Sequence, residues 1–337
     1  MKDTQVTDQI FEGYDNVFGQ STATIGTLKV LSIASARLPY PRLFIIHSAP
    51  SGHLKTWTSK TASSLFPKSW ILDLKSDFTI HNLYEQNKKK DGSASVDKKC
   101  LMINDATLLF SSKAEKTKER LVNGLAELMT DGVYHYGDFG HDFTIKGDIS
   151  VVMNLTTKSY TRHLESLLGN TFDERCLTLH TELSSKEQNK LSISTLPQEI
   201  GKGIKYTELD TLWKSGKAPS ITIPAHLQKL IQVHAWKYTY LGLKGFPRTQ
   251  ATINAIVRAS AFVNGRAEVC REDFEIVKKA KDYLVNPLQP NRPRIVSMLK
   301  NKVGVAEICR ILGKDFDKYK TYVYRVRDDA KLKGLLG

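Results

Sequence analysis

Short apolar runs alternate with amphipathic stretches over roughly the first 180 residues, and this alternation restricts the fold more than any other feature. Each run is bounded by turn residues, which is typical of strands buried on both faces. The runs are Arg42–His47, Trp70–Leu74, Cys100–Ile103, Ile149–Met153 and Cys176–Leu179. Strands that alternate with helices form a mainly parallel sheet with helices on both faces. The sequence therefore predicts an α/β core with five strands, the first beginning at Arg42.

The pattern changes after Ser184, where helical periodicity replaces the alternation. Helices are predicted at Ala225–Leu243, Thr249–Asn264 and Arg271–Val285. Prolines at 287, 290 and 293 then predict a linker to a short final segment. We therefore expect an α/β core over residues 1–190, a helical domain over 191–286 and a small C-terminal domain over 287–337.

The chain carries a large positive charge. Its 49 Lys and Arg residues exceed its 35 Asp and Glu residues, which gives a formal charge of +14 at pH 7. Because each neutralised phosphate releases counterions, this surplus favours nucleic acid as a partner. A generally basic protein without such a partner is the alternative.

Membrane, targeting and metal signals are missing from the sequence. Met1–Gln9 is polar and no run of 18 apolar residues occurs, so we expect a cytoplasmic protein without a membrane partner. Cys100, Cys176, Cys270 and Cys309 lie far apart without a CxxC pair. This spacing disfavours zinc and disulfide bonds and favours small buried thiols.

The turn after the first predicted strand has the context of a phosphate-binding loop, with the pattern G-x-x-x-x-G-K-[ST] between a strand and a helix. The candidate phosphate-binding residues are Ala49, Pro50, Ser51, Gly52, His53, Leu54, Lys55 and Thr56. Main-chain amides and the helix N-terminus would hold phosphate groups, Lys55 would reach the β- and γ-phosphates, and Thr56 would bind Mg²⁺. Ala49 and Leu54 replace the two glycines, and a leucine side chain crowds the space where the main chain approaches phosphate. An ordinary strand-to-helix turn with a chance Lys-Thr pair is the alternative.

An acid follows the third predicted strand, where Cys100–Ile103 ends at Asn104 and Asp105. A magnesium-bound nucleotide needs a carboxylate beside the loop, usually followed by a second that activates water. Either Asn104 stands in the metal-side position and Asp105 in the second, or Asp105 is the metal-side acid and Ala106 follows it. Both registers weaken hydrolysis more than binding. A third possibility is that Asp105 only caps the next turn.

Together with residues further along the chain, these motifs resemble those of the AAA+ ATPases, and most closely the minichromosome-maintenance helicases and their relatives. The resemblance covers roughly Leu43 to Leu284. It implies ATP and Mg²⁺ as cofactors and catalytic roles for Lys55 and Asp105. It also implies that Asn154, ending the fourth strand, is sensor 1, the residue that orients the attacking water.

The same resemblance assigns two arginines. Asn170–Cys176 is similar to the arginine-finger segment, so Arg175 would reach a γ-phosphate bound by a neighbouring subunit. Gly245–Gln250 is similar to the start of the sensor-2 helix, which gives Arg248 a catalytic role at the helix N-terminus. Arg258, further along that helix, is expected to face solvent or an acid on the adjacent helix.

Two segments are candidates for DNA contact. Val133–Tyr136 and Phe143–Lys146 read as a hairpin, similar to the pre-sensor hairpin that faces DNA in the helicase relatives, and Lys146 is its candidate contact. A structural hairpin that covers the sheet is the alternative. Lys88–Lys99 is expected to be an exposed, mobile loop whose lysines are solvated, with contact to DNA as the alternative.

The C-terminal segment resembles a winged-helix or helix-turn-helix domain, with a first helix at Val305–Leu312 and a second from Asp315 to Val326. Twelve basic residues against five acids fall between Asn291 and Gly337. The candidate DNA-binding residues are Lys314, Lys318, Lys320, Arg325 and Arg327. A small helical cap with a solvated basic face is the alternative.

Two functions follow from these motifs. The first is a DNA-dependent ATPase, a helicase-like motor or remodeller in replication or recombination that forms a ring, expected to be a hexamer. The second is a hydrolysis-deficient DNA-binding regulator, initiator or scaffold, which the replacements at Leu54 and Asn104 favour.

Overall fold

The computed structural model describes residues 5–52, 54–76, 78–107, 109, 115–138, 141–160, 175–181, 220–241, 245–284, 292–312 and 314–332. The strands are β1 (Phe44–Ala49), β2 (Ile71–Leu74), β3 (Ala94–Ser95), β4 (Lys99–Ile103), β5 (Val133–Asp138), β6 (His141–Lys146), β7 (Ile149–Thr156) and β8 (Leu177–His180). The helices are α1 (Val6–Phe18), α2 (Gln20–Ser35), α3 (Lys55–Ser64), α4 (Ile80–Asn87), α5 (Glu115–Asp131), α6 (Ala225–Leu241), α7 (Phe246–Val263), α8 (Phe274–Lys279), α9 (Lys281–Leu284), α10 (Arg292–Lys300), α11 (Val305–Ile311) and α12 (Phe316–Leu332).

A five-stranded sheet forms the centre of the fold, in the order β2-β4-β7-β1-β8. Every neighbouring pair in it is parallel, which confirms the predicted parallel sheet. All six residues of β1 are buried, as expected for a strand covered on both faces. Because β7 lies between β1 and β4, the carboxyl ends of these three strands are adjacent at one edge.

Strand β7 is longer than the sequence indicates. The predicted strand stops at Met153, but the pairing continues to Thr156, with Asn154 opposite His47 of β1. Asn154 is therefore inside the strand and not at its end.

Two helices that the sequence analysis missed precede β1. Every residue of α2 from Thr22 to Ser35 is buried. A helix buried on all sides has no polar face, so it lacks the amphipathic period by which helices are recognised. Two of its hydroxyls hydrogen-bond to the segment before β1: Ser32 Oγ donates to the Leu43 carbonyl at 2.7 Å, and Ser35 Oγ accepts from the Leu43 N–H at 3.0 Å.

The two faces of the sheet are covered by different helices. On one face, residues of α1, α2, α6, α7 and α8 join the sheet in a single hydrophobic cluster. On the other face, α4, α5 and the β5–β6 hairpin form the second cluster. The helical segment after residue 220 thus shares its core with the first two helices of the chain.

The β5–β6 hairpin belongs to a second sheet of order β3-β6-β5. Strand β3 lies within the predicted loop Lys88–Lys99, so that prediction is wrong at Ala94–Ser95. Phe143 of the hairpin is buried and stacks on Tyr84 of α4, with ring centroids 4.4 Å apart. The hairpin therefore has a structural role in covering the second cluster.

The last helix predicted before the linker is broken. Residues Arg271–Asp273 form a 3₁₀ turn, followed by α8 and α9. Asp273, an acid of the predicted first turn, is buried and holds this turn in place. It accepts a hydrogen bond from Ser260 Oγ at 2.6 Å and forms an ion pair with Arg266 at 2.6 Å.

Helices α10, α11 and α12 pack around a small core of their own. Its buried members are Ile295, Val296, Ile308, Cys309, Val323, Val326 and Ala330. Residues 292–312 and 314–332 contain no strand, so the wing stays a prediction. No helix among the described residues is both long enough and apolar enough to cross a membrane.

Candidate functional site

An open cleft of about 350 Å³ lies at the edge where β1, β4 and β7 end. It is lined by Ser51, Gly52, Leu54, Lys55, Thr56, Trp57, Asn104, Asp105 and Thr156. The predicted loop and the predicted acid, about fifty residues apart in the sequence, thus face one space. Pockets that hold small ligands are about 300–1,000 Å³, so the volume of the cleft is near the lower end of that range. His53 lies outside the described residues.

Lys55 opens helix α3 at the floor of this cleft. Its ammonium donates to the carbonyls of Ala49 at 2.8 Å and Pro50 at 2.7 Å. Burial lowers the pKa of Lys55, and the nearby Asp105 carboxylate partly offsets this effect. The side chain folds back on its own loop, within reach of any anion that enters the loop.

Leu54 holds the conformation that a glycine would adopt. Its φ of 59° and ψ of 9° are left-handed, and it caps α3 without a side-chain hydrogen bond. Leucine rarely adopts this conformation because its Cβ crowds the main chain. The Leu54 side chain packs against the first hydrophobic cluster, which holds the residue in this strained state.

Thr56 and Asn104 connect the loop to the end of β4. Thr56 Oγ1 donates to the main-chain oxygen of Asn104 at 3.3 Å. The Asn104 amide donates to Asp73 Oδ1 at 3.3 Å, and buried Asn104 Oδ1 has no hydrogen-bond partner among the described residues. Thr56 thus contacts the main chain and not the side chain of Asn104, and both registers of the pair stay predictions.

Asp105 is exposed on the other side of the same turn. Its Oδ1 accepts from the main-chain N–H of Thr107 at 3.0 Å. The carboxylate therefore caps a turn, as the third possibility predicts, and it also lines the cleft.

Asn154 lies beneath the cleft and does not line it. It is 0% exposed, and its amide donates to Ser59 Oγ at 2.9 Å and to the Asn104 carbonyl at 3.4 Å. Its Oδ1 accepts from the ammonium of Lys29 at 3.0 Å. The predicted water-orienting residue is thus engaged in an internal hydrogen-bond network.

Lys29 of α2 is the residue of this site that the sequence analysis missed. It is 0% exposed, and burial lowers its pKa well below the usual value, with a further decrease from Lys55. Nearby His47 is also buried, with Nε2 2.6 Å from Thr181 Oγ1, and its pKa is lowered by burial and by Lys29 and Lys55. A lone lysine in a helix without a motif gives no sequence signal.

Arg175 and Arg248 meet at the opposite edge of the sheet. They line a small cavity with Tyr40, Pro41, Arg42, Phe44, Thr130, Ala251 and Thr252. Burial lowers the pKa of Arg175, and the charge of Arg248 lowers it further. At about 3.3 Å per residue, the six residues of β1 separate this cavity from the Lys55 cleft by roughly 17 Å. The predicted finger segment at 170–174 lies outside the described residues.

Arg258 does not face solvent or an acid, so that prediction is wrong. It is 7% exposed, and its Nη1 donates to the carbonyls of Pro39 at 3.0 Å and Tyr40 at 3.3 Å. Main-chain carbonyls of the segment before β1 take the place of the expected carboxylate. Arg258 thereby fixes the segment that forms one wall of the Arg175 cavity.

The candidate DNA contacts on the C-terminal unit differ in their local partners. Lys320 pairs with Asp317 at 2.6 Å, and Arg327 pairs with Asp328 at 3.2 Å. Lys314, Lys318 and Arg325 are exposed. On α12, residues seven apart share a face, so Lys318 and Arg325 project on the same side. Lys146, the hairpin candidate, is exposed at the end of β6.

The assignment of this site rests on its own geometry, since neither a protein-family model nor a curated protein matches the chain.

Proposed function

We propose that the protein is a DNA-dependent ATPase of the AAA+ type, a helicase-like motor or remodeller that works as a ring of identical subunits. One observation carries this proposal: the Ser51–Thr56 loop and Asp105 line a single cleft at the carboxyl edge of a parallel sheet. Crevices at this edge are where open α/β sheets bind ligands.

The charges around the cleft suit a polyphosphate. The N-terminus of α3 contributes positive potential at the loop, and Lys55, whose charged form Asp105 favours, lies beside it. A triphosphate would take the position from which Lys55 now reaches the Ala49 and Pro50 carbonyls.

The residues beside Thr56 fit a magnesium ion. The Thr56 hydroxyl and the unpartnered Asn104 Oδ1 are oxygen donors of the kind that Mg²⁺ prefers. When bound, Mg²⁺ would neutralise charge on the phosphates. Asp105, the second residue of the pair, is the carboxylate that would accept a proton from the attacking water.

The position of the cavity that Arg175 and Arg248 line supports assembly into a ring. Because it is at the opposite edge of the sheet from Lys55, its two arginines cannot reach a nucleotide in their own subunit. In a head-to-tail ring, each subunit would present Arg175 and Arg248 to the nucleotide of its neighbour. An arginine supplied in this way contributes about 10³–10⁵ to the rate.

DNA is the proposed partner of the C-terminal unit. Lys318 and Arg325 on one face of α12, with Lys314 before the helix, would contact phosphates.

A hydrolysis-deficient DNA-binding scaffold is the second candidate. It is favoured by Leu54, whose side chain stands at the loop, and by Asn104, an amide in the metal-side position. In this case nucleotide binds weakly, and no DNA-stimulated turnover occurs.

Calorimetric titration with ATP and Mg²⁺, with and without duplex DNA, tests the proposal. We expect binding by the wild type, loss of binding in Lys55→Met, and wild-type binding in Lys60→Met, a control at an exposed lysine of the same helix. In a separate assay, a rate of ATP hydrolysis that increases with DNA supports the motor, and nucleotide binding without hydrolysis supports the scaffold. A wild type that binds no nucleotide contradicts both nucleotide roles.

A further inference from the structure

Lys29 is a fully buried lysine, and no carboxylate hydrogen-bonds to it among the described residues. Four oxygen atoms surround its Nζ: the Lys55 carbonyl at 2.9 Å, Thr58 Oγ1 at 2.8 Å, Ser59 Oγ at 2.9 Å and Asn154 Oδ1 at 3.0 Å. Burying an ammonium in this way is costly unless its hydrogen bonds are complete. A lysine at this buried position therefore depends on its hydrogen bonds, and it orders the groups that accept them in a way that a leucine would not.

The two hydroxyls that contact Nζ also lie close to main-chain carbonyls of α3. The single proton of Thr58 Oγ1 is shared between the Lys55 carbonyl at 2.9 Å and the Leu54 carbonyl at 3.1 Å, and Ser59 Oγ donates to the Lys55 carbonyl at 3.1 Å. With their protons directed at these carbonyls, both hydroxyls present lone pairs to Nζ. The surrounding shell therefore supplies acceptors to Lys29, although burial lowers its pKa.

The contacts of Lys29 lead directly to the cleft. Asn154, held by Lys29, donates to the Asn104 carbonyl at 3.4 Å, and the same carbonyl accepts from Thr56 Oγ1 at 3.3 Å. Two hydrogen bonds, through Asn154, thus connect Lys29 to the Asn104 carbonyl. A second connection is direct, since Lys29 Nζ donates to the carbonyl of Lys55.

We propose that Lys29 is a positioning residue of the phosphate site, which fixes the first turn of α3 and the Asn104 carbonyl through its hydrogen bonds to the Lys55 carbonyl and Asn154. The inference rests on the proposed function, because it takes the cleft to be a nucleotide site. It extends that function by making the N-terminal helix α2 part of the site.

The ligand class follows from the place of Lys29 in the fold. It holds the first turn of α3, whose main-chain amides would bind the phosphate groups. A nucleoside triphosphate would make more contacts there than a monophosphate, so Lys29 should increase the preference for the triphosphate without touching the ligand.

The test compares Lys29→Met with Leu31→Ala. Methionine keeps the length of the side chain and removes its donors and charge. Leu31 is a fully buried residue of the same helix, so its truncation loosens the packing of α2 without altering the hydrogen bonds of Lys29. Ser59→Ala is a milder variant, which removes one acceptor from Lys29 and one from Asn154.

Two measurements are made on each variant: the dissociation constants for ATP with Mg²⁺ and for AMP, and the hydrogen exchange of main-chain amides at 55–59 and 154–156. We expect Lys29→Met to weaken ATP binding by about tenfold, as removal of a buried hydrogen bond would, with a smaller effect on AMP and faster exchange in both segments. Ser59→Ala should show the same pattern, more weakly. Leu31→Ala should speed exchange throughout α2 and α3, but it should leave the ratio of the ATP and AMP dissociation constants unchanged.

Unchanged ATP binding and exchange in Lys29→Met overturn the inference, and so does an equal effect of Leu31→Ala on the ratio of the ATP and AMP dissociation constants. If Lys29→Met does not fold, the result for Ser59→Ala decides. A wild type that binds no nucleotide contradicts the proposed function instead, and the exchange data then decide alone whether Lys29 fixes the loop.

Discussion

The Thr56 hydroxyl donates to the main-chain oxygen of Asn104 across the cleft, at 3.3 Å. This hydrogen bond brings the end of β4 against the first turn of α3, beside the position proposed for the metal. We therefore expect the side chain at 104 to affect how well the proposed site holds a divalent cation.

Asn104→Asp should make stability depend on Mg²⁺. The new carboxylate would stand about 3.3 Å from Asp73 Oδ1, where the amide now donates, and the repulsion should lower the melting temperature in the absence of the metal. Mg²⁺ should restore it, by mass action on the folded state. Thermal unfolding with and without Mg²⁺ measures the effect, and Asn301→Asp in an exposed turn is the control. A melting temperature that does not respond to Mg²⁺ would place the metal elsewhere.

Leu54→Gly should tighten nucleotide binding. Glycine adopts the left-handed conformation of residue 54 without strain and removes the side chain that crowds the loop. A gain of about tenfold corresponds to a steric cost of 1–2 kcal/mol. Titration with ATP measures it, and equal affinity in the two proteins would argue against a phosphate site at this turn.

Gly26→Ala should destabilise the fold, although alanine is the better helix former. A Cβ at residue 26 would lie 2.6 Å from the ring of buried Tyr14. Overpacking of this kind costs about 1–3 kcal/mol, which exceeds the helix-propensity gain of about 1 kcal/mol. Urea unfolding measures the difference. Gly124→Ala, inside α5, is the matched control, since its added Cβ would lie 3.2 Å from Ile80 and Tyr134 and should cost less.

Because of His47, the free energy of unfolding should decrease at acidic pH. Its pKa in the folded protein is well below 6.5, chiefly because of burial. Below about pH 6.5 the unfolded chain therefore binds a proton that the folded chain does not, and stability decreases as the pH falls until the folded pKa is reached. His47→Gln should flatten this part of the pH profile, while His226→Gln at an exposed position should not. A profile that His47→Gln leaves unchanged would contradict this explanation.

The two faces of α12 should contribute unequally to DNA binding. Replacing both Lys318 and Arg325 by Gln should reduce the slope of log K against log salt by about 1.8, at roughly 0.9 for each phosphate that is no longer neutralised. Replacing Lys320 and Arg327 should have a smaller effect, because Asp317 and Asp328 already pair with them. Binding measured between 50 and 200 mM salt, about the range over which such slopes are read, distinguishes the pairs. Equal slopes for all variants would show that DNA binds elsewhere.

The parallel sheet could be predicted because its strands carry a strong local signal. Runs such as Ile149–Met153 are apolar and short, and the loop before Lys55 has a recognisable order of residues. The meeting of Lys55 with Asp105 followed from this order, since parallel strands that share an edge bring their carboxyl ends together.

Other parts could not be predicted, because they depend on contacts between residues that are distant in the sequence. Helix α2 mixes Thr, Ser and Lys with apolar residues, and only its complete burial explains why. Arg258 was expected to find solvent or an acid, but main-chain carbonyls distant in sequence satisfy it. The burial of Asn154 depends on Lys29, 125 residues away along the chain.

The burial of α2 also decides where the chain can be shortened. A fragment that begins at the first recognisable strand would omit the helix on which the sheet, α1, α3 and α7 all pack. Such a fragment would retain the whole phosphate-loop motif but would expose a large apolar surface, so we expect it to aggregate when it is expressed.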